Sequence, residues 1–191
     1  SLPGRYRQSI ESFTNYKKAF LQVNGDLYVQ YQQQLKTIAN GRPIVGLSWS
    51  GGYWAAQKRA KGLAIENWLP IFERGALCVN LQYGDIKEEL SQFTKKKNYK
   101  IITLKNLDLF NDFTGLANLL KSLDIFFTVS NSTAHLASAL GVRTILVKPP
   151  NHASFHYWNY EDGKTPWYKS VNIISRKNLK DKKFISELFK L

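Results

Sequence analysis

Short apolar runs that alternate with helical patterns constrain the fold of this chain more than any other feature of its sequence. Six runs rich in β-branched and aromatic residues lie at 44–49, 77–81, 99–104, 125–129, 144–147 and 171–174. Segments with apolar residues at helical spacing follow them, at 63–72, 85–93, 113–123, 131–140 and 184–189. Continuous apolar runs of this length are typical of parallel strands buried on both faces. The alternation predicts an α/β fold with a doubly wound, Rossmann-like parallel sheet and right-handed crossovers.

The first 42 residues differ from the rest, because they are polar and contain no strong strand pattern. A helical pattern through Tyr28, Tyr31, Leu35 and Ile38 ends at the sequence Asn40-Gly41. We therefore predict an N-terminal helical or linker segment at 1–42 and one Rossmann-like domain at 43–191. The chain contains no methionine, not even at position 1, so we expect it to be a piece of a longer protein.

The charge and composition narrow the choice of partners. With 27 Lys and Arg against 14 Asp and Glu, the net charge of +13 favours anionic partners. The lysine clusters at 95–97 and 177–183 are not interleaved with aromatic residues, so nucleic acid is not the expected partner. The single cysteine, Cys78, lies in an apolar run and is expected in the core. No transmembrane or secretory segment is visible, and we expect a cytoplasmic location.

The segment 130–141 has the pattern of an anion-binding helix start. It follows the apolar run 125–129, Asn131 is a good N-cap residue, and Gly141 ends the helix. Such a junction offers unpaired backbone N–H groups at the positive end of a helix dipole, together with the hydroxyls of Ser132 and Thr133 and the imidazole of His135. Phosphate is the expected anion. An ordinary polar cap with a surface histidine is the alternative.

Two further loops follow strands and therefore open onto the same edge of the sheet. Ser50-Gly51-Gly52 could approach a phosphate closely, although neither the dinucleotide fingerprint nor a Walker loop is present and a plain turn remains the alternative. The cations Lys58, Arg59 and Lys61 follow in the same loop; they would either bind a pyrophosphate or remain exposed surface charges.

The second strand is followed by Gln82, Tyr83 and Asp85, where a polar side chain could bind a ribose. Asp85 could instead serve as the N-cap of the next helix.

Aromatic residues are concentrated between 149 and 168. They could wall a site for a base or a sugar ring, or attach this segment to its own domain or to another one. His135, His152 and His156 do not have metal-ligand spacing with carboxylates or thiols, so no metal site is predicted. The sequence contains neither a nucleophile elbow nor a Cys/His pair, so covalent hydrolysis is not predicted.

Taken in order, several motifs resemble the C-terminal domain of bacterial GT-B glycosyltransferases. The resemblance covers roughly residues 40–175 and is greatest for the group found behind tetratricopeptide repeats, which is related to the heptosyltransferases and more distantly to O-linked N-acetylglucosamine transferases. The motifs are VGLSWSGG at 45–52, LQYGD at 81–85, ND at 111–112, LD at 123–124, NSTAHLA at 131–137 and PWY at 166–168.

The resemblance implies that this chain is the donor-binding half of an inverting, metal-independent enzyme that uses a nucleotide sugar as co-substrate and no other cofactor. Carried over by position, the donor diphosphate would contact Ser132, Thr133, Ala134, His135, Ser50, Gly51, Gly52, Lys58 and Arg59. The nucleoside and ribose would lie near Gln82, Tyr83 and Asp85. The general base would belong to the missing N-terminal half, which would also bind the acceptor glycan, lipid or protein. A non-catalytic scaffold of the same fold, or an RNA- or nucleotide-binding module, is the alternative.

Overall fold

The strands of the protein form one parallel sheet, as the alternating pattern predicts. The computed structural model describes residues 2–13, 19–23, 25–51, 62–148, 156–158 and 162–190, without the side chains of 2, 3 and 156. The described strands are β1 Ile44–Ser48, β2 Leu77–Asn80, β3 Ile101–Ile102, β4 Ile125–Thr128, β5 Thr144–Lys148 and β6 Val171–Ser175. Their order is β3-β2-β1-β4-β5-β6 and every neighbouring pair is parallel. The doubly wound α/β prediction is confirmed.

Helices cover the sheet between successive strands. The described α-helices are α1 Leu2–Tyr6, α2 Asp26–Ala39, α3 Leu69–Phe72, α4 Lys87–Lys97, α5 Phe113–Lys121, α6 Ser132–Ala139, α7 Arg176–Lys180 and α8 Lys182–Leu188. Short 3₁₀ helices occur at Ile10–Phe13, Ile65–Trp68 and His156–Trp158. Within the described ranges, no helix has the length and apolar character needed to cross a membrane.

Both faces of the sheet are buried, and the side chains of successive strand residues lie on opposite faces. Val45 and Leu47 of β1 pack in one core with residues of α3, α4 and α8. Ile44 packs in a second core with residues of α2, α5 and α6. Burial on both sides explains why the strands read as continuous apolar runs.

The segment before residue 43 contributes to this packing. Helix α2 ends as predicted, because Asn40 and Gly41 adopt left-handed backbone angles with φ of 47° and 81°. Leu35 and Ala39 of this helix are buried in the core that contains Ile44. The division of the chain at residue 42 stays a prediction, while α2 itself packs against the sheet.

Two predicted elements are much shorter in the structure. The helix expected over 63–72 is a 3₁₀ helix at Ile65–Trp68 followed by one turn, α3. Pro70 lies in the first turn of α3, and a proline there cannot continue a preceding helix since it lacks an N–H and its ring crowds the carbonyl four residues earlier. The strand expected over 99–104 pairs only at Ile101–Ile102, at the edge of the sheet.

Helix boundaries also differ from the expected ones. Helix α4 begins at Lys87, two residues later than predicted, and continues to Lys97. The last predicted helix begins earlier, at Lys182, where Asp181 caps it, and α7 precedes it. Phe113, expected on the apolar side of α5, is the first residue of that helix and is 59% exposed.

Candidate functional site

The crevice between β1 and β4 is the place where the strand order of the sheet changes direction. The chain leaves β1 towards β2 and leaves β4 towards β5, on opposite sides of this crevice. In doubly wound sheets, ligands bind outside the carboxyl ends of the strands at such a point. The residues that follow these two strands are 49–51 and 129–135, which include the predicted anion site.

The N-terminus of α6 has two backbone N–H groups that point out of the helix. Asn131 is the N-cap, and its Oδ1 accepts a hydrogen bond of 2.8 Å from the amide of Ala134. The amides of Ser132 and Thr133 donate to no described residue. Ser132 is exposed, whereas Thr133 is 2% exposed. Of the predicted diphosphate contacts that lie among the described residues, Ser132 is therefore the most accessible, whereas the Thr133 side chain is buried and the amide of Ala134 is already paired.

A buried polar network joins the loops after β1, β2 and β4. The side-chain amide of Asn131 donates to Ser48 Oγ at 2.9 Å and to the carbonyl of Ser50 at 3.3 Å. Gln82 Oε1 accepts from Ser48 Oγ at 3.1 Å and from the amides of Trp49 and Ser50 at 2.9 and 2.7 Å. Gln82 is only 4% exposed. These bonds hold the β1 loop in place, so Gln82 fixes the position of one side of the crevice from the protein interior.

Gly51 brings the β1 loop against the β4 loop. A Cβ atom at this position would lie 2.6 Å from the carbonyl oxygen of Ser130 and 3.2 Å from Cβ of Asn131. Only glycine fits that approach, and the structure thereby places Gly51 beside the start of α6. The other predicted contacts of this loop, Gly52, Lys58, Arg59 and Lys61, lie outside the described residues.

A cavity of about 720 Å³ opens next to the crevice, at the carboxyl ends of β2 and β3. Helix α4 forms one wall and the segment 103–110 forms another, with Gln82 and Tyr83 on the side of β2. The ring of Tyr83 lies 5.9 Å from that of Phe110, which is 55% exposed. Lys87 and Lys95 also line the cavity. Its volume is typical of small-molecule sites.

A tight turn orients Phe110 at the rim of this cavity. The Asp108 carboxylate accepts hydrogen bonds from the side-chain amide of Asn111 at 2.7 Å and from the backbone amides of Phe110 and Asn111 at 2.9 and 3.1 Å. These bonds, the one from the Asn111 side chain most of all, lower the pKa of the Asp108 carboxyl.

Asp85 does not line the cavity and is exposed. It is not the N-cap of α4 either: Ile86 occupies that position and makes no side-chain cap hydrogen bond. The capping alternative is therefore wrong, and a ribose contact by Asp85 stays a prediction.

His135 lies in the first half of α6, half-buried among aromatic rings. Its Nδ1 is 3.0 Å from the hydroxyl of Tyr168. Its ring centroid is 4.7 Å from that of Trp158 and 5.1 Å from that of Tyr157. Trp158 is 2% exposed, and its indole Nε1 is buried with no hydrogen-bond partner among the described residues. In the described part of the segment 149–168, these rings attach the chain to its own domain.

No set of three or more His, Cys, Asp or Glu side chains able to hold a metal occurs among the described residues. The candidate site is instead built from backbone N–H groups, hydroxyls, amides and one imidazole.

The fold that these elements define is that of known glycosyltransferases. A glycosyl transferase family 9 structure from Veillonella parvula superimposes with a TM-score of 0.60 at 12% identity, over 84% of this chain and 43% of that one. The E. coli ADP-heptose LPS heptosyltransferase II gives a TM-score of 0.58 at 15% identity, over 88% of this chain and 52% of that one.

One curated relative is similar in sequence. Protein FlbA of Caulobacter vibrioides is 29% identical over 166 residues, which are 86% of this chain and 27% of FlbA. No family model matches the chain. The chain thus spans about a quarter of the length of FlbA and about half of the solved glycosyltransferases.

Sequence reasoning named Gln82 and Asn131 in other roles, but it missed Ser48 and the way these three residues support the loops of the site. The bond between Asn131 and Ser48 joins residues 83 positions apart, and the bond between Gln82 and Ser48 joins residues 34 positions apart. No local sequence pattern predicts contacts over such separations. One signal was present, since a polar residue ends or follows each central strand, as at Ser48 and Asn80. Buried polar groups at strand ends need partners, and neighbouring strand ends supply them.

Proposed function

We propose that this chain binds a nucleotide sugar and forms the donor-binding, C-terminal half of an inverting, metal-independent GT-B glycosyltransferase. The observation that carries the proposal is the position of the Ser132 and Thr133 amides, which donate to no described residue and lie at the switch point of the sheet. Gln82, which binds the neighbouring β1 loop, also lines a cavity large enough for a nucleoside. The likeness to two glycosyltransferase folds supports the same conclusion.

The leaving group of such a transfer is a nucleoside diphosphate, whose negative charge grows as the sugar departs. Donors fixed in advance at the place where charge develops lower the barrier, and helix amides are donors of this kind. We assign this role to the amides of Ser132 and Thr133, with the Ser132 hydroxyl and His135 beside them. Because these groups need no metal to act, the proposal includes metal independence and no cofactor besides the nucleotide sugar.

The nucleoside is assigned to the cavity between α4 and the segment 103–110. Tyr83 and Phe110 present aromatic faces at its rim, on which a base can stack. No general base is assigned within this chain. The base and the binding site for an acceptor glycan, lipid or protein are proposed to lie in the other half of the enzyme, in the cytoplasm.

Ser132→Glu provides a sharp test, because its effects on binding and on stability have opposite signs. A carboxylate in the first turn of α6 interacts favourably with the helix dipole and stabilises the helix by about 0.3–1 kcal/mol, so the free energy of unfolding does not fall. The same carboxylate repels a diphosphate, and we expect the affinity for nucleoside diphosphates to fall more than tenfold, about 1.4 kcal/mol or more.

Isothermal titration with UDP, GDP, ADP and CDP, each compared with its nucleoside, measures this affinity, and urea denaturation measures stability. Ser132→Gln is the matched neutral control: it removes the hydroxyl but adds no charge, so it should lose less affinity than Ser132→Glu. If Ser132→Glu and Ser132→Gln bind nucleoside diphosphates equally well, the diphosphate does not bind at the start of α6. If no nucleotide binds at all, the proposed function is wrong.

The net charge of +13 favours RNA binding as the second candidate function. Titration of single-stranded RNA at two salt concentrations separates the two. Tight binding with a steep salt dependence, together with no nucleotide affinity, would favour the RNA-binding module.

A further inference from the structure

We propose that Tyr168 is a positioning residue for His135: its hydroxyl selects the tautomer in which Nδ1 is unprotonated and Nε2 carries the proton. The functional part of this inference rests on the proposed function, since His135 is one of the groups assigned to the diphosphate. The observation behind it is the 3.0 Å separation between Tyr168 Oη and His135 Nδ1.

The chemistry of the two groups favours one direction for this hydrogen bond. A phenol is both a donor and an acceptor, whereas each nitrogen of a neutral imidazole is one or the other. The phenol is a stronger acid than the N–H of a neutral imidazole, so the better bond runs from Tyr168 O–H to Nδ1. The hydrogen bond made by one ring nitrogen determines which nitrogen keeps the proton, and here that is Nε2.

Ring packing fixes the orientation of the imidazole at the same time. The planes of His135 and Trp158 are inclined by 35° with centroids 4.7 Å apart, and Trp158 stacks on Tyr168 at 28° and 5.6 Å. The ring of Tyr157 meets the His135 imidazole edge-on, with an angle of 80° between the two ring planes. Trp158 is in turn buried against Ala134 of α6, and this contact attaches the bracket formed by Tyr157, Trp158 and Tyr168 to the helix.

The main chain holds Tyr168 in place independently of His135. Its carbonyl accepts from the amide of Val171 at 3.3 Å, at the start of β6. The hydroxyl of Thr165 accepts from the Trp167 amide at 3.2 Å and fixes the preceding turn. Tyr168 therefore links the end of the sheet to the first half of α6. Under this proposal, neutral His135 carries its donor proton on Nε2 and needs no proton uptake to donate to an oxyanion.

Nitrogen NMR of the complete chain, labelled with ¹⁵N-histidine, reads the tautomer directly. The chain contains three histidines, and the spectrum of His135→Gln identifies the signals of His135. At a pH where the imidazole is neutral, we expect the Nε2–H tautomer in the wild type and a mixture with the Nδ1–H tautomer in Tyr168→Phe. Tyr157→Phe is the matched control, because it alters a ring neighbour and leaves the tautomer unchanged. An Nδ1–H tautomer in the wild type, or an unchanged one in Tyr168→Phe, would overturn the proposal.

A double-mutant cycle tests the consequence for binding. We expect Tyr168→Phe to weaken nucleoside diphosphate binding several-fold in the wild type and to change it little in His135→Gln. An equal loss in both backgrounds would mean that Tyr168 acts by a route other than His135. If no nucleotide binds at all, the proposed function fails, while the NMR result still decides the role of Tyr168.

Discussion

At the scale of single residues, the side chain of Gln82 shows how a residue near a ligand site can serve mainly the protein. The sequence predicts it as a nucleoside contact, since it follows β2 at the ligand-binding edge. In the structure its Oε1 accepts from the amides of Trp49 and Ser50, and its Nε2 donates to the Tyr83 carbonyl at 3.0 Å. Its first task is to satisfy backbone groups that would otherwise be buried without partners.

Gln82→Leu is expected to lower the free energy of unfolding by about 1–3 kcal/mol, because it leaves buried amides without an acceptor. Urea denaturation followed by circular dichroism measures the change. Gln92→Leu is the control: Gln92 is exposed on α4 and its side chain donates to Glu88 at 2.8 Å, so its loss should cost no more than about 0.5 kcal/mol. Equal stability of the two variants would contradict the supporting role of Gln82.

At the scale of elements, helix starts are specified locally. Asp112 caps α5, and its Oδ1 accepts from the amide of Gly115 at 2.7 Å. Asn131 caps α6 in the same way. Both could be predicted, because a cap involves only residues within one turn. Asp85 is an equally suitable residue type for an N-cap, but α4 starts only at Lys87, so Ile86 occupies the N-cap position.

The pair Asp112→Ala and Asp85→Ala tests this difference between two similar aspartates. Asp112→Ala should destabilise the protein by about 1 kcal/mol through the lost cap. Asp85→Ala should leave stability within about 0.5 kcal/mol, since Asp85 is exposed and makes no cap hydrogen bond. Thermal and urea denaturation of both variants provide the measurement, and an equal loss in each would be the contrary result.

At the scale of the whole molecule, the sheet encloses Cys78 in β2 between two layers of helices. The side chain is 1% exposed, and burial raises the pKa of its thiol to about 12. At neutral pH the thiol is protonated in both the folded and the unfolded state, so the raised pKa leaves the free energy of unfolding unchanged. Stability falls as the pH rises above the ordinary pKa of a thiol, because the unfolded state then releases the proton first.

We therefore expect Cys78 to react with iodoacetamide only after global unfolding. At pH 8 in native buffer, labelling measured by mass spectrometry should be negligible, and it should rise with urea along the unfolding curve. Cys78→Ala serves as the unlabelled control. Rapid labelling of the native protein would contradict the burial of β2.

The strands and the order of helices followed from periodicity, because burial on both faces imposes apolar runs on every central strand. Elements at the margin were harder to predict. At β3, which has one neighbour, the six-residue pattern pairs at only Ile101–Ile102. Within 63–72, the effect of Pro70 on backbone hydrogen bonding outweighed the apolar spacing.

The sequence by itself determined the α/β alternation, the N-caps of α5 and α6 and the Asn40-Gly41 end of α2, since each depends on contacts within a few residues. Only the tertiary structure decided that Gln82 and Asn131 hold the β1 loop, that Gly51 lies against Ser130, and that Tyr168 meets His135 across 33 positions. Those contacts join residues far apart in the chain. Their geometry exists only after parallel strands bring their carboxyl ends to one edge of the sheet.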